Sequence, residues 1–222
     1  MEISVSLDPA AGNDLEKYVE FLDTVDDISL HLDIMDGQFV ARKSTTKDEA
    51  DFTIKNTRHK IDIHYMINDI ALHLNPYLAK AVWGSIRSIS FHIETFTADE
   101  TPDILTLFKK IRIMGVEAGI AIDLDTNLKD MPKEVLDACD VATIMSVKAG
   151  ASGQAFNATA LDKVKTLRKT YPNLRIIIDG GINAENITQV KRAGATTAVV
   201  GSAIFNAPDR IQEIRTLQKL SG

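Results

Sequence analysis

Histidine and aspartate alternate with apolar residues along two short stretches of this sequence, and both polar residue types can bind a metal ion or transfer a proton. The stretch HLDIM places His31, Asp33 and Met35 at every second position, and IDIHYM repeats that spacing around His64 and Met66. Alternate side chains of an extended strand point to the same face. We therefore expect these residues to share the inner face of their strands, while the residues between them pack outward.

Charged side chains inside a protein need partners, because burying an unpaired charge costs free energy. A divalent metal ion would be such a partner, with His31, Asp33, His64 and Asp179, which ends the apolar run LRIIID, as ligands. Two imidazoles and two carboxylates suit Zn, Fe(II), Mn or Co without selecting one of them. A hydrogen-bonded network without metal would satisfy the same side chains, and the spacing alone leaves both alternatives open.

Glycine-rich turns follow two later apolar runs, at DGGIN (179–183) and VGSAIF (200–205). Glycine lets backbone N–H groups approach phosphate oxygens, and a helix that begins after the second turn would direct its N-terminus at the anion. Tight turns without any ligand are the simpler alternative. The candidate phosphate-binding residues are Gly180, Gly181, Gly201 and Ser202.

A run of small residues, KAGASGQAF (148–156), contains Gly150 and Gly153. Such a composition is typical of a loop that can close over a ligand. A flexible surface loop with no ligand has the same composition, so the sequence favours neither interpretation.

Eight short runs rich in β-branched residues alternate with segments whose apolar residues recur at helical spacing. This order predicts an α/β fold, a (β/α)8 TIM barrel, whose active site lies at the carboxyl ends of the strands. A doubly wound sheet is disfavoured by the count of eight and by the absence of a GxGxxG turn after the first run. The runs are 2–7, 27–35, 61–67, 88–94, 118–123, 141–147, 174–179 and 196–201.

The helical segments carry the remaining apolar positions at three- and four-residue spacing. The periodicity is weaker after residue 43 and around residue 132. The clearest segments are 14–25, 103–114, 160–171, 184–194 and 209–220.

Composition limits the class of protein. The 222 residues show no linker or low-complexity segment, so we expect one domain over 1–222. The net charge of −6 offers no general basic surface for nucleic acid or an anionic membrane. One cysteine, no signal-peptide pattern and no apolar run of about 20 residues predict a cytoplasmic protein without disulfides.

The chain resembles the ribulose-phosphate 3-epimerase family across almost its whole length. The resemblance is carried by six motifs in family order and at family spacing. These are HLDIMDGQFV, DIHYM, FHIET, IMSVKAGASGQAF, IDGGIN and VGSAIF.

The resemblance implies a (β/α)8 barrel that inverts C3 of a ketose phosphate, interconverting D-ribulose 5-phosphate and D-xylulose 5-phosphate through an enediolate. It implies one divalent metal ion per chain, with Asp33 and Asp179 acting both as ligands and as the two acid/base groups. Met35, Met66 and Met145 match the methionines that cover the reaction centre, and methionines that only fill the core are the alternative. Ser6 matches a substrate-positioning serine, and family members are commonly homo-oligomers.

Three segments depart from the family pattern. Ala41-Arg42-Lys43 stands where the family usually has a proline-asparagine pair, and 123–126 replaces an Asn-Pro-Gly-Thr-like turn. The sixth loop reads VKAGASGQ against a usual VEPGFGGQ-like pattern. These departures lie where substrate would be contacted, so the alternatives are an epimerase of a related sugar phosphate such as allulose 6-phosphate, or another phosphate-binding TIM-barrel enzyme.

His92 and Glu94 also fall within a matching motif. We interpret them as an interior hydrogen-bonded pair and not as metal ligands.

Overall fold

A computed structural model describes residues 1–12, 14–71, 74, 79–150 and 153–222 of the chain. Eight parallel strands pair in sequence order, and the eighth closes on the first to form a barrel. The predicted TIM barrel is confirmed. The strands are β1 Glu2–Ser6, β2 Ile28–Met35, β3 Ile61–Met66, β4 Ile86–His92, β5 Glu117–Ile122, β6 Val141–Met145, β7 Arg175–Asp179 and β8 Thr197–Val200.

Helices of the described residues follow the strands. Each of the eight predicted strands and the five clear helical segments overlaps an observed element. The helices are α1 Leu15–Leu22, α2 Lys47–Asn56, α3 Thr101–Ile113, α4 Lys133–Ala138, α5 Ala160–Thr170, α6 Ile187–Ala193, α7 Ser202–Phe205 and α8 Arg210–Ser221.

Local signals explain the helix that periodicity indicates only weakly after residue 43. The Thr46 side chain accepts a hydrogen bond from the Glu49 N–H, and the Glu49 carboxylate accepts one from the Thr46 N–H. This capping box fixes the start of α2 by satisfying backbone donors that have no partner inside the helix.

The strands alternate as expected. Outward residues such as Leu30, Leu32 and Ile63 are fully buried and belong to the main core between strands and helices. Inward positions near the carboxyl ends carry the polar side chains. The barrel interior also holds a small separate apolar cluster of Val141, Ile177 and Val199.

None of the helices in the described part of the chain has the length and apolar character that crossing a lipid bilayer demands.

Candidate active site

The register of neighbouring strands brings the candidate site residues to the same height in the barrel. Ser6 of β1 lies beside His31 of β2, and Asp33 of β2 lies beside His64 of β3. On the other side of the barrel, Met145 of β6 lies beside Asp179 of β7. Residues that are far apart in sequence therefore meet because parallel strands place their carboxyl ends at one face of the barrel.

The four candidate metal ligands converge on one point. Their ligand atoms all lie within 4.8 Å of one another. His64 Nδ1 is 3.1 Å from Asp33 Oδ1 and 3.6 Å from Asp179 Oδ2, and His31 Nε2 is 3.3 Å and 3.5 Å from the same two oxygens. The two imidazole nitrogens are 3.4 Å apart.

These separations fit a metal site. In a tetrahedral site with bonds of about 2.0–2.1 Å, the ligand atoms lie about 3.3 Å from one another. Five of the six separations lie between 3.1 and 3.6 Å, close to that value, and all six lie within 4.8 Å. The donor set of two imidazoles and two carboxylates therefore fits a divalent ion.

The negative charge of the two carboxylates favours a positive charge within this cluster. Burial alone would raise the pKa of Asp33, but the imidazoles of His31 and His64 lower it below its ordinary value. The same imidazoles lower the pKa of Asp179. Burial would lower the pKa of His31, but the two carboxylates raise it well above its ordinary value. Positive charge between the carboxylates, on protons or on a metal ion, stabilises the arrangement.

A cavity opens above the cluster at the carboxyl ends of the strands. Twelve of the fourteen predicted site residues line it, and the remaining two, His31 and His64, lie in the cluster beneath. The twelve are Ser6, Asp33, Met35, Met66, Met145, Gly150, Gly153, Asp179, Gly180, Gly181, Gly201 and Ser202.

The glycine-rich turns need glycine for reasons of conformation and space. Gly180 and Gly181 have φ of +117° and +65°, in the left-handed region that side chains disfavour. A Cβ on Gly181 would lie 2.5 Å from the backbone nitrogen of Phe156. The backbones of Gly181 and Phe156 therefore lie close together in this wall of the cavity. The predicted helix after Gly201 is the single turn α7.

The predicted loop over 148–156 runs along the cavity, although Ala151 and Ser152 lie outside the described residues. A Cβ on Gly150 would come within 2.8 Å of the Val40 side chain, so the loop after β2 contacts the loop after β6.

Several cavity residues were missed by the sequence interpretation. Asp8 lines the cavity and its Oδ2 accepts a 2.6 Å hydrogen bond from Arg42 Nη1, in the segment that departs from the family pattern. Lys148 lines the cavity from the loop after β6. The position of Asp8, two residues after Ser6, continues the alternation of the first strand, and that signal could have indicated it.

His92 and Glu94 form the expected hydrogen-bonded pair, with His92 Nδ1 2.8 Å from Glu94 Oε2. The pair is not interior as predicted, because His92 is buried but Glu94 is exposed. The sequence interpretation missed that His92 also reaches the cluster, where its Nε2 lies 3.0 Å from His64 Nε2.

Fold and site together define a (β/α)8 barrel whose candidate metal centre lies at the carboxyl ends of the strands, the face on which barrel enzymes carry their active sites. The chain belongs to the ribulose-phosphate 3 epimerase family, which it matches over residues 2–205. Family and relatives together make it an isomerase of the epimerase class.

Curated relatives agree with this membership. A ribulose-phosphate 3-epimerase of Aquifex aeolicus is 34% identical over 197 residues, covering 86% of this chain and 83% of the relative. The cytoplasmic isoform of Oryza sativa subsp. japonica is 31% identical over 192 residues, covering 86% and 81%. A 3-hexulose-6-phosphate synthase structure from Salmonella typhimurium has a TM-score of 0.69 at 18% identity, covering 100% of this chain and 98% of that one, which shows likeness of fold alone.

Proposed function

We propose that this protein is a metal-dependent 3-epimerase of a ketose phosphate that interconverts D-ribulose 5-phosphate and D-xylulose 5-phosphate. The observation that carries the proposal is the convergence of Asp33 and Asp179 with two imidazoles at the floor of a cavity. Membership of the epimerase family supports the reaction, and relatives named ribulose-phosphate 3-epimerase support the substrate.

Inversion at C3 requires that one group remove the C3 proton and that another return a proton to the opposite face. In one direction of the reaction Asp33 acts as the ionised base, while Asp179 starts protonated and acts as the acid. When Asp33 takes the proton, the C–H electron pair forms the C2–C3 double bond and the C2 carbonyl becomes an enediolate oxygen. Asp179, from the seventh strand, donates its proton to C3 as the carbonyl re-forms. The reverse reaction exchanges these roles.

His31, Asp33, His64 and Asp179 would hold one divalent ion per chain, of Zn, Fe(II), Mn or Co. Such an ion supplies Lewis-acid stabilisation for negative charge that develops on the substrate oxygens. Ser6 supports Asp33, because its Oγ donates to Asp33 Oδ2 at 3.5 Å and accepts from the Asp8 N–H at 3.3 Å.

The rest of the cavity binds and covers the substrate. Backbone N–H groups of Gly180, Gly181, Gly201 and Ser202 are the proposed phosphate donors, which lets an acidic protein bind an anion without a basic surface. Met35, Met66 and Met145 are buried and line the same cavity. Their thioethers cover the reacting carbon with a surface that has no proton to donate.

A substrate panel tests the proposal. Purified protein is assayed with pentulose and hexulose phosphates, with Asp33→Asn as the inactive control. We expect the highest kcat/KM with D-ribulose 5-phosphate. A higher kcat/KM with allulose 6-phosphate would favour the related epimerase, and no epimerisation of any member would contradict the proposal. A homo-oligomer stays a prediction from the resemblance, and a cytoplasmic location stays a prediction from the composition and patterns of the sequence.

A metal assay tests the ion separately. We expect about one divalent ion per chain and loss of activity after chelation, with recovery on adding metal back. Full activity in chelated protein that contains no metal would contradict the proposed role of the metal ion.

A further inference from the structure

One candidate metal ligand is held by a chain of side chains that runs away from the cavity. His64 directs Nδ1 into the cluster and Nε2 toward His92 Nε2, 3.0 Å away. The other nitrogen of His92 lies 2.8 Å from Glu94 Oε2, and Glu94 Oε1 accepts the Asp123 N–H at 2.8 Å. Both imidazoles are fully buried, so water does not compete for the contact between the two rings, whereas Glu94 at the far end of this chain of side chains is exposed.

The chain permits one arrangement of protons between neutral rings. An ionised carboxylate only accepts hydrogen bonds, so His92 Nδ1 carries the proton that is shared with Glu94. Neutral His92 then has a lone pair on Nε2, and His64 Nε2 must donate to it. His64 Nδ1 is left with its lone pair directed at the cluster. That is the form in which an imidazole binds a metal ion.

We propose that His92 and Glu94 are positioning residues that fix the tautomer and ring orientation of His64 for metal binding. This inference rests on the proposed function, since it assigns a purpose to the ligand set of the same site. Metal-bound histidines commonly donate their second N–H to a carboxylate or another acceptor, and removing that acceptor typically costs 10–100-fold in metal affinity. Here the acceptor is an imidazole that is itself oriented by a carboxylate.

Packing holds the rings in place. The His92 ring lies 5.0 Å from the His64 ring at an interplanar angle of 28°. Phe39, from the loop after β2, packs against His92 with ring centroids 4.6 Å apart. His31 has no equivalent support among the described residues, since its Nδ1 is buried without a hydrogen-bond partner. The two histidine ligands are therefore held differently, and the support is specific to His64.

Variants of His92 test the inference through zinc affinity, measured by competition with a chromophoric chelator. His92→Phe keeps a ring but removes the acceptor, and we expect zinc binding to weaken about 10–100-fold. His92→Gln offers an amide oxygen to His64 and should recover most of that loss. His59→Gln is the matched control, because His59 is also buried but hydrogen-bonds the Leu22 carbonyl away from the site.

Each outcome is decisive. Wild-type zinc affinity in a folded His92→Phe protein would overturn the inference while leaving the proposed function in place. Failure of the wild-type protein to bind zinc or any other divalent ion would instead contradict the metal site itself. If His92→Phe does not fold, nitrogen-15 NMR of zinc-loaded wild-type protein replaces it. We expect His64 to bind through Nδ1 with its proton on Nε2, and coordination through Nε2 would overturn the inference.

Discussion

The two ends of the barrel each bury a carboxylate, but they balance its charge in different ways. At the carboxyl end, Asp33 faces the imidazoles of His31 and His64. At the amino end, Asp62 accepts hydrogen bonds from the guanidinium groups of Arg87 and Arg175, with Arg175 Nη2 2.8 Å from Asp62 Oδ1. Both carboxylates are held ionised, one by groups that can exchange a proton or give way to a metal ion, the other by permanent cations.

The difference in how the two carboxylates are balanced bears on turnover at the carboxyl end and on stability at the amino end. Arginine stays protonated in proteins, so the amino end has one charge state over the working pH range. Glu2 and Glu117 extend that network by pairing with Arg87 and Arg175 at the base of the barrel. We expect substitutions at the carboxyl end to reduce turnover and substitutions at the amino end to reduce the free energy of unfolding.

The largest expected effect is on turnover. Asp33→Asn or Asp179→Asn removes one of the two groups proposed to transfer the C3 proton, while keeping the size of the side chain. General acid–base groups typically contribute 10²–10⁴-fold, so kcat should fall by at least about 100-fold. Steady-state kinetics, with circular dichroism to confirm the fold, measures this. Near-normal epimerisation in either variant would contradict the two-aspartate mechanism.

The second prediction concerns the amino end of the barrel, where a substitution should change stability and not turnover. Asp62→Asn removes a buried carboxylate from two part-buried guanidinium groups, which keep Glu2 and Glu117 as ion-pair partners. A hydrogen bond to a charged group contributes about 1.5–3 kcal/mol, so the free energy of unfolding should fall by about that amount. Urea unfolding should show that loss, while kcat per folded molecule stays unchanged.

Asp162→Asn is the control for Asp62→Asn, because Asp162 forms an exposed pair with Lys165. Exposed pairs contribute about 0–1 kcal/mol, so its unfolding curve should nearly overlay that of the wild type. Equal stability of the Asp62→Asn and Asp162→Asn proteins would show that the amino-end network is not a stability element.

The smallest predicted effect is on the acid dependence of unfolding. Burial would raise the pKa of Asp62, but the two arginines lower it to about 2, below its value in the unfolded chain. A lowered pKa gives stability that is present above the unfolded value and lost as pH falls toward the folded one. The difference in free energy of unfolding between the wild type and Asp62→Asn should become smaller by about 1 kcal/mol as the pH falls from 5 to 3. A difference that stays constant over this pH range would contradict the lowered pKa of Asp62.

Alternation along single strands predicted most of the site. The order of eight strands predicted the barrel, and the two-residue spacing predicted that His31, Asp33 and His64 lie on its inner face. The contact between His92 and His64 could not be predicted in this way, since it depends on the stagger between β3 and β4, where the register shifts near Ile61 and Asp62. The pairing of Arg42 with Asp8 depends on loop conformation, for which local periodicity gives no signal.

The amino-end network was missed for a related reason. Arg87 precedes the predicted start of its strand at residue 88, and Arg175 lies 113 positions from its partner Asp62. Only closure of the barrel brings such positions together.

Hydrogen exchange at C3 tests the central claim most directly. D-Ribulose 5-phosphate is incubated with the metal-loaded protein in heavy water, and deuterium at C3 is followed by NMR in recovered substrate and in product. We predict deuterium at C3 of D-xylulose 5-phosphate in wild-type reactions and almost none with Asp33→Asn or Asp179→Asn. Product formed by the wild-type protein without deuterium at C3, or exchange that persists in both variants, would contradict the account.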